Sequence, residues 1–308
     1  MREEFDTCPY GYNSTARLIV EEAEEILYKP FNVLDHGFVR LVDYMGGDAA
    51  IVQAARVSYG SGTKKVQEDS GLIRYLMRHR HTTPFEMVEL KFHAKMPIFV
   101  ARQWIRHRTA NVNEISGRYS ILDKEFYLPL PENLGTQSKK NRQGRDEIVS
   151  SREAISILEM LKHDALTAYS HYEYLLNEDS ENPGNPKDQE RSMLARELSR
   201  MDLTLNFYTQ WYWKIDLHNL FHFLSLRMDD HAQYEIKVYA DKMAEITKAV
   251  APIAYQAFED YRLYGINLSK LEKELIKSSI DKAKLSNLLE SSELSKREKD
   301  EFKLKLNL

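Results

Sequence analysis

Cysteine is almost missing from this 308-residue chain, which has only Cys8. That excludes an intrachain disulfide framework and any zinc site built from paired thiolates. Glycine and proline are also sparse, at 12 and 9 residues, so collagen-like and Pro/Gly-rich disordered classes are excluded. Basic charge is not in excess: 43 Lys and Arg stand against 47 Asp and Glu, a formal −4. A dedicated nucleic-acid binder shows the opposite bias. No apolar run approaches the ~18 residues of a membrane span. The acidic start, Met1-Arg2-Glu3-Glu4-Phe5, lacks the apolar core of a signal peptide. These absences predict a cytoplasmic, enzyme-sized protein with no membrane and no nucleic-acid partner.

What the chain does have is helical periodicity in its second half and mixed patterning before it. Residues 1–32 read as a helical extension, with apolar spacing over 18–27 and Pro30 as its stop. Residues 37–43 alternate as a strand, and Gly46-Gly47 breaks it before Asp48, which is placed to cap a helix running to Arg56. Residues 72–77 predict an apolar helix ending in Arg78-His79-Arg80-His81. Thr83 followed by Pro84 has the form of an N-cap with proline at the first helical position. Residues 88–96 alternate more cleanly than any others, and 99–106 predict a helix. The polar stretch 129–145 reads as a surface loop. Helices are expected over 148–176, 189–198, 216–226 and 233–258, the first two separated by Asn182-Pro183-Gly184-Asn185-Pro186. The aromatics of 207–213 read as packing, and 263–308 as a charged, helical tail. The fold class is therefore α+β, an antiparallel or mixed sheet with a large helical part.

The densest polar stretch runs from Gln103 to Tyr119. Arg102, Arg106, Arg108 and Arg118 supply guanidinium forks suited to phosphate or carboxylate. Ser116-Gly117 lets backbone amides approach a ligand closely, and Glu114 can accept from a ribose hydroxyl. The plain alternative is a surface helix end with scattered ion pairs. His218 and His222 have the i, i+4 spacing of a helical zinc pair. However, Asn219 stands between them rather than the glutamate a zinc protease uses as base, and a third ligand would have to be a residue such as His231. From the residues alone, a metal-dependent hydrolase or a nucleotide- or RNA-binding protein using the Arg-His-Arg cluster stays open beside a nucleotide-handling enzyme.

Arg106-His107-Arg108, followed seven residues later by Ser116, resembles the signature of the flavin-dependent thymidylate synthases. Its longer form is matched at Asn113, Ser116, Arg118 and Tyr119, with Asn111 where the family usually has serine. Three further stretches are similar to the family and occur in its order. They are His81-Thr82-Thr83-Pro84-Phe85-Glu86, Ile98-Phe99-Val100-Ala101-Arg102-Gln103-Trp104, and the run from Leu224 to Gln233. Together they cover roughly residues 33–262.

The resemblance implies reductive methylation of dUMP to dTMP, with methylenetetrahydrofolate as carbon donor, NADPH as reductant and FAD as the relay. It implies a homotetramer with flavin sites between subunits, and no metal. Arg227 matches the arginine that sits against the uracil and favours its ionisation. The ordinary alternative is a helix-end ion pair with Asp229 or Asp230. Gln103, Arg106, Glu114, Ser116, Gly117, Arg118 and Arg200 match positions that hold dUMP, and Arg196 lies one turn from Arg200. His81, Thr83, Arg106, His107, Arg108, Glu114, Asp216, His218 and His222 match positions that meet FAD. The resemblance also gives the cysteine count a second meaning. The unrelated thiol-dependent thymidylate synthases attack uracil with a cysteine inside the pocket, and Cys8 lies outside the matched region.

Overall fold

The computed structural model describes residues 17–57, 66–139 and 144–306; Cys8 and the first half of the expected N-terminal extension lie outside them. The chain forms two compact units, one ending at Leu263 and one beginning at Tyr264. In the first, α1 (Glu21–Ile26) precedes β1 (Phe31–Val33), β2 (Gly37–Met45), α2 (Asp48–Val57), α3 (Val66–Arg78) and α4 (Thr83–Glu86). Next come β3 (Glu89–Pro97), α5 (Ile98–Trp104), β4 (Asn111–Glu114), β5 (Gly135–Gln137), β6 (Arg145–Ile148), α6 (Ser151–Leu176) and α7 (Arg196–Ser199). The unit closes with β7 (Tyr208–Asp216), α8 (Leu217–Arg227), α9 (Tyr234–Val250) and α10 (Pro252–Phe258). The second unit holds α11 (Lys270–Ser279), α12 (Lys282–Glu290) and α13 (Lys296–Leu306), and Ser269 and Glu272 form a capping box on α11.

The main sheet has the order β1-β2-β3-β7-β4 and is antiparallel throughout. β3 and β7 pair along their whole length, from Glu89 opposite Asp216 to Pro97 opposite Tyr208. Strand alternation puts Leu90, Phe92, Ala94 and Met96 of β3 on the buried face with Trp211, Trp213 and Ile215 of β7. α5, α8 and α9 pack against the sheet. The other face carries Lys91, Lys95 and Lys214, which pair with Asp43, Glu125 and Glu89.

The sheet and its long helices follow the sequence pattern; several local expectations do not. Residues 208–213 are more than packing, because they belong to strand β7 inside the sheet. Residues 111–114 form the edge strand β4 within the stretch read as a polar motif. The stretch expected to be loop contributes β5, which pairs with β6 starting at its last residue. The helix expected over 189–198 shrinks to α7. There Asn177 Nδ2 donates to the carbonyls of Asp188 and Arg191, and its Oδ1 accepts from the amide of Asp188. Side chains satisfying the backbone in this way compete with helix. The helix expected over 233–258 is broken into α9 and α10 at Pro252, which lacks an amide proton and keeps Ala251 out of the helical region. The N-cap of α4 is Thr82 rather than Thr83, and its side chain makes no capping bond.

Asp48 caps a helix, but not its own. Its carboxylate accepts from the amides of Ile253 and Ala254 at 2.8 and 2.9 Å, closing the first turn of α10. Asp48→Ala should strand both amides and lower stability by about 1–3 kcal/mol, with Asp48→Asn losing less because it keeps an acceptor. Thermal denaturation checks this; an unchanged melting temperature in the alanine variant would refute the cross-helix cap.

Candidate functional site

Trp104 ends α5 and is fully buried. It stacks on Phe223 with ring centroids 5.3 Å apart and meets Trp211 and Trp213 edge-on at 5.6 and 5.4 Å. This packing fixes the backbone carrying Gln103 and His107, which reach the α8–α9 connection and the end of α8. Gln103 Nε2 donates to Gln233 Oε1. Nε of Arg227 donates to His107 Nε2 at 3.1 Å. His107 is thus a neutral acceptor, with its ring edge-to-face on Phe223 at 4.8 Å. Burial pushes its pKa down to about 4, helped by the positive charge of Arg227 and by His222.

Arg227 is the last residue of α8, and burial lowers its own pKa. The helix-end ion pair does not form: Asp229 pairs with His231 at 2.9 Å and Asp230 with Lys237 at 2.9 Å. Among the described residues Arg227 has no carboxylate partner. It is a partly desolvated cation supported by a neutral ring.

The expected flavin positions on α8 and the α3–α4 turn converge. His81, His218 and His222 line one cavity of about 240 Å³ with Phe85, Phe221 and Asn219. Arg80 and Arg262 line it too, and neither was singled out from the sequence. Arg80 was legible only as part of a basic cluster, and Arg262 carried no local signal. Burial, then the charge of Arg80, lowers the pKa of Arg262. Two cations brought together on an apolar wall favour an anion. His222 lies 6.1 Å from His107, linking the cavity to Arg227. Asp216 instead caps α8, its carboxylate accepting from the amide and Nδ2 of Asn219 at 2.9 and 2.6 Å. Thr83 is exposed and does not line the cavity, whereas Thr82 does. No group of three or more His, Cys, Asp or Glu suited to a metal occurs among the described residues, so the hydrolase reading finds no third ligand there.

A second cluster follows β4. Ser116 Oγ accepts from the amide of Arg118 at 3.2 Å, and Ser116 O from the amides of Tyr119 and Ser120. Gly117 is buried, and a Cβ there would lie 3.2 Å from Cδ of Arg200 and 3.1 Å from Leu122. The glycine lets the turn approach Arg200. Arg118 is exposed and pairs with Glu197 at 3.0 Å. Arg196, the near neighbour of Arg200, is tied to the buried carboxylate of Glu178 and to the carbonyl of Tyr119. Arg200 has no ion pair among the described residues and is the freer of the two. Glu114 Oε1 accepts from Thr209 Oγ1 at 2.6 Å, a β7 partner invisible in the sequence motif. Arg106 and Arg108 are exposed, with no ion pair among the described residues.

The sequence matches the family of thymidylate synthase complementing proteins, Thy1, over residues 40–253. A flavin-dependent thymidylate synthase from Rickettsia bellii is 58% identical, over 94% of this chain and 98% of that one. One from Gluconobacter oxydans is 57% identical, over 94% and 91%. This chain is a member of the flavin-dependent thymidylate synthase family. Among solved structures, a UMP/dUMP methylase from Streptomyces cacaoi bound with 5-Br dUMP is similar to it. The TM-score is 0.64 and the identity 30%, over 77% of this chain and 100% of that one. The same methylase bound with 5-Br UMP matches at a TM-score of 0.64 and 31% identity, over 74% and 96%.

The ionisation of His107 offers a direct check on the Arg227 contact. Arg227→Ala removes a neighbouring charge and admits water, so the histidine should titrate above its value of about 4, moving toward the ordinary 6.5. A histidine NMR titration reads this; a His107 resonance that stays put would show that Arg227 does not govern it.

Proposed function

We propose that this member of the flavin-dependent thymidylate synthase family makes dTMP by reductive methylation of dUMP. It would take carbon from methylenetetrahydrofolate and reducing equivalents from NADPH through FAD. The observation carrying this reading is Arg227, a partly buried guanidinium with no carboxylate partner among the described residues, held by neutral His107. Such a cation stabilises negative charge on a pyrimidine, which makes C5 nucleophilic without an attacking thiol. Ser116, Gly117, Arg118 and Arg200 suit the nucleotide phosphate, as amide donors and guanidinium forks, with Gln103, Arg106 and Glu114 completing the dUMP set. On this reading 33–262 carries the activity, with 1–32 and 263–308 appended.

The cavity fits part of a flavin dinucleotide. Arg80 and Arg262 offer paired cations for a pyrophosphate, and His81, His218 and His222 offer rings and donors, with Thr83, His107, Arg108 and Asp216 near the same elements. When bound, the flavin supplies the redox relay between NADPH and the transferred carbon. At about 240 Å³ the cavity is below the roughly 300–1,000 Å³ of a complete small-ligand site. That favours sites completed by other copies in a homotetramer. The exposed apolar side chains Tyr119, Met201 and Leu205 support that assembly.

The purified protein should be yellow, and dUMP should perturb its flavin spectrum; a colourless protein that cannot be reconstituted with FAD would sink the proposal. Arg227→Ala should keep FAD yet lose about 10²–10³-fold in kcat for dTMP formation, and an equal loss of FAD would make its role structural. Arg118→Ala should raise the KM for dUMP by about 10- to 100-fold, the loss of a charge-assisted contact of roughly 1.5–3 kcal/mol. An unchanged KM in steady-state assays contradicts that assignment.

A further inference from the structure

A chain of hydrogen bonds runs from Gln103 to a buried carboxylate. Glu235 is 1% exposed. Its Oε1 accepts the Tyr127 hydroxyl at 3.2 Å, and the guanidinium of Arg145 grips both carboxylate oxygens. Oε2 also accepts from Gln233 Nε2 at 2.8 Å, and Gln233 Oε1 accepts from Gln103 Nε2. The two ends of a glutamine amide have nearly the same shape, so only their partners decide which way the group points. An ionised carboxylate can only accept. Gln233 must therefore turn its NH2 to Glu235 and its oxygen to Gln103. Gln103 in turn must give its NH2 to Gln233, which leaves its oxygen as the end available for anything else. Among the described residues that oxygen has no hydrogen-bond partner.

This chain and the Arg227–His107 bond join the same two segments, 103–107 and 227–233. Gln103 is thereby held beside the proposed catalytic arginine. We infer that Gln233 and Glu235 are positioning residues that fix Gln103 as a hydrogen-bond acceptor toward the bound nucleotide. They select a ligand offering an N–H or O–H at that point, the uracil imide or the sugar 3′-hydroxyl. The inference rests on the reading above that Gln103 meets dUMP. None of the three residues needs to change charge or move during the reaction; their effect is on which ligand groups are admitted.

Glu235→Gln inverts the chain. Glutamine keeps one oxygen for Arg145 and Tyr127 and presents NH2 to Gln233, which reverses both amides down to Gln103. Binding of dUMP to the flavin-loaded enzyme is measured for wild type, Gln103→Ala, Glu235→Gln and the double variant. Each single change should raise Kd by about tenfold, and the double should bind no more weakly than Gln103→Ala alone, because the effect of residue 235 passes through Gln103. Two analogues identify the donor: dCMP, whose ring N3 is an acceptor, and 3′-deoxy-3′-fluoro-dUMP, whose fluorine cannot donate. Whichever of them wild type rejects by about tenfold, the Glu235→Gln enzyme should reject severalfold less.

Gln233→Leu leaves the Arg145–Glu235 pair intact and provides the same cycle with Gln103→Ala if Glu235→Gln folds poorly. Additive losses in the cycle would overturn the positioning role. So would equal binding of dUMP and both analogues by wild type, or analogue ratios unchanged in Glu235→Gln. A wild type that fails to bind dUMP at all would instead overturn the functional reading, and the inference with it.

Discussion

The buried position of Trp104 is the constraint on which the candidate site depends. Its indole fills the space between the central strand and α8, touching Trp211, Trp213, Phe223 and Tyr239. An aromatic of this size buries about 150–250 Å². At roughly 25 cal/mol per Å² that is several kcal/mol, an upper figure because the unfolded chain is already partly collapsed. The consequence is positional as much as energetic. With Trp104 locked, Gln103 and His107 leave the end of α5 at defined points, one meeting Gln233 in the α8–α9 connection and the other Arg227 at the end of α8. The polar chemistry is thus hung on an apolar anchor, which keeps the geometry of exposed side chains reproducible.

The electrostatics follow from the same packing. Arg227 has, where a carboxylate partner would ordinarily be expected, an imidazole held neutral by burial. A carboxylate there would cancel the guanidinium's charge before any ligand arrived. A neutral acceptor orients the guanidinium and leaves its charge available. Asp229 and Asp230, the nearest carboxylates in sequence, are drawn off by His231 and Lys237. Much the same arrangement recurs at Arg200, which keeps its charge while Arg196 surrenders its own to Glu178. In both places one of two plausible groups is locked into structure and the other is left for a ligand.

How much of this was legible in the sequence depends on how local the cause is. β2 and β3 alternate between small or apolar residues and polar ones, so their period was visible. β7 alternates just as strictly in space, but its outward residues Tyr208 and Tyr212 are as large and aromatic as its inward Trp211 and Trp213, and the contrast disappears. β4 is an edge strand of Asn, Val, Asn and Glu whose pairing comes entirely from β7, nearly a hundred residues away. The residue types of the site were legible because chemistry restricts them: guanidinium forks, a glycine at a close approach, a serine at a turn. Their partners were not. Asp48 and Asp216 both stand at helix starts, but Asp48 caps a helix two hundred residues later while Asp216 caps its own through Asn219. Glu235 had no signal at all, because its meaning lies in Arg145, Tyr127 and Gln233.

The lone cysteine bears on the same question from the side of mechanism. On the proposed function, with no cysteine among the described residues, activation of the ring comes from the field around it, and a field is only as good as its orientation. Electrostatic catalysis needs its groups in place before the charge develops, so that no reorganisation is required at the moment of reaction. That demand accounts for the two cross-links between 103–107 and 227–233, for the aromatic anchor behind them, and for a buried ion pair used to orient amides rather than to react. On the proposed function, the effort visible in this fold goes into holding neutral and charged groups still.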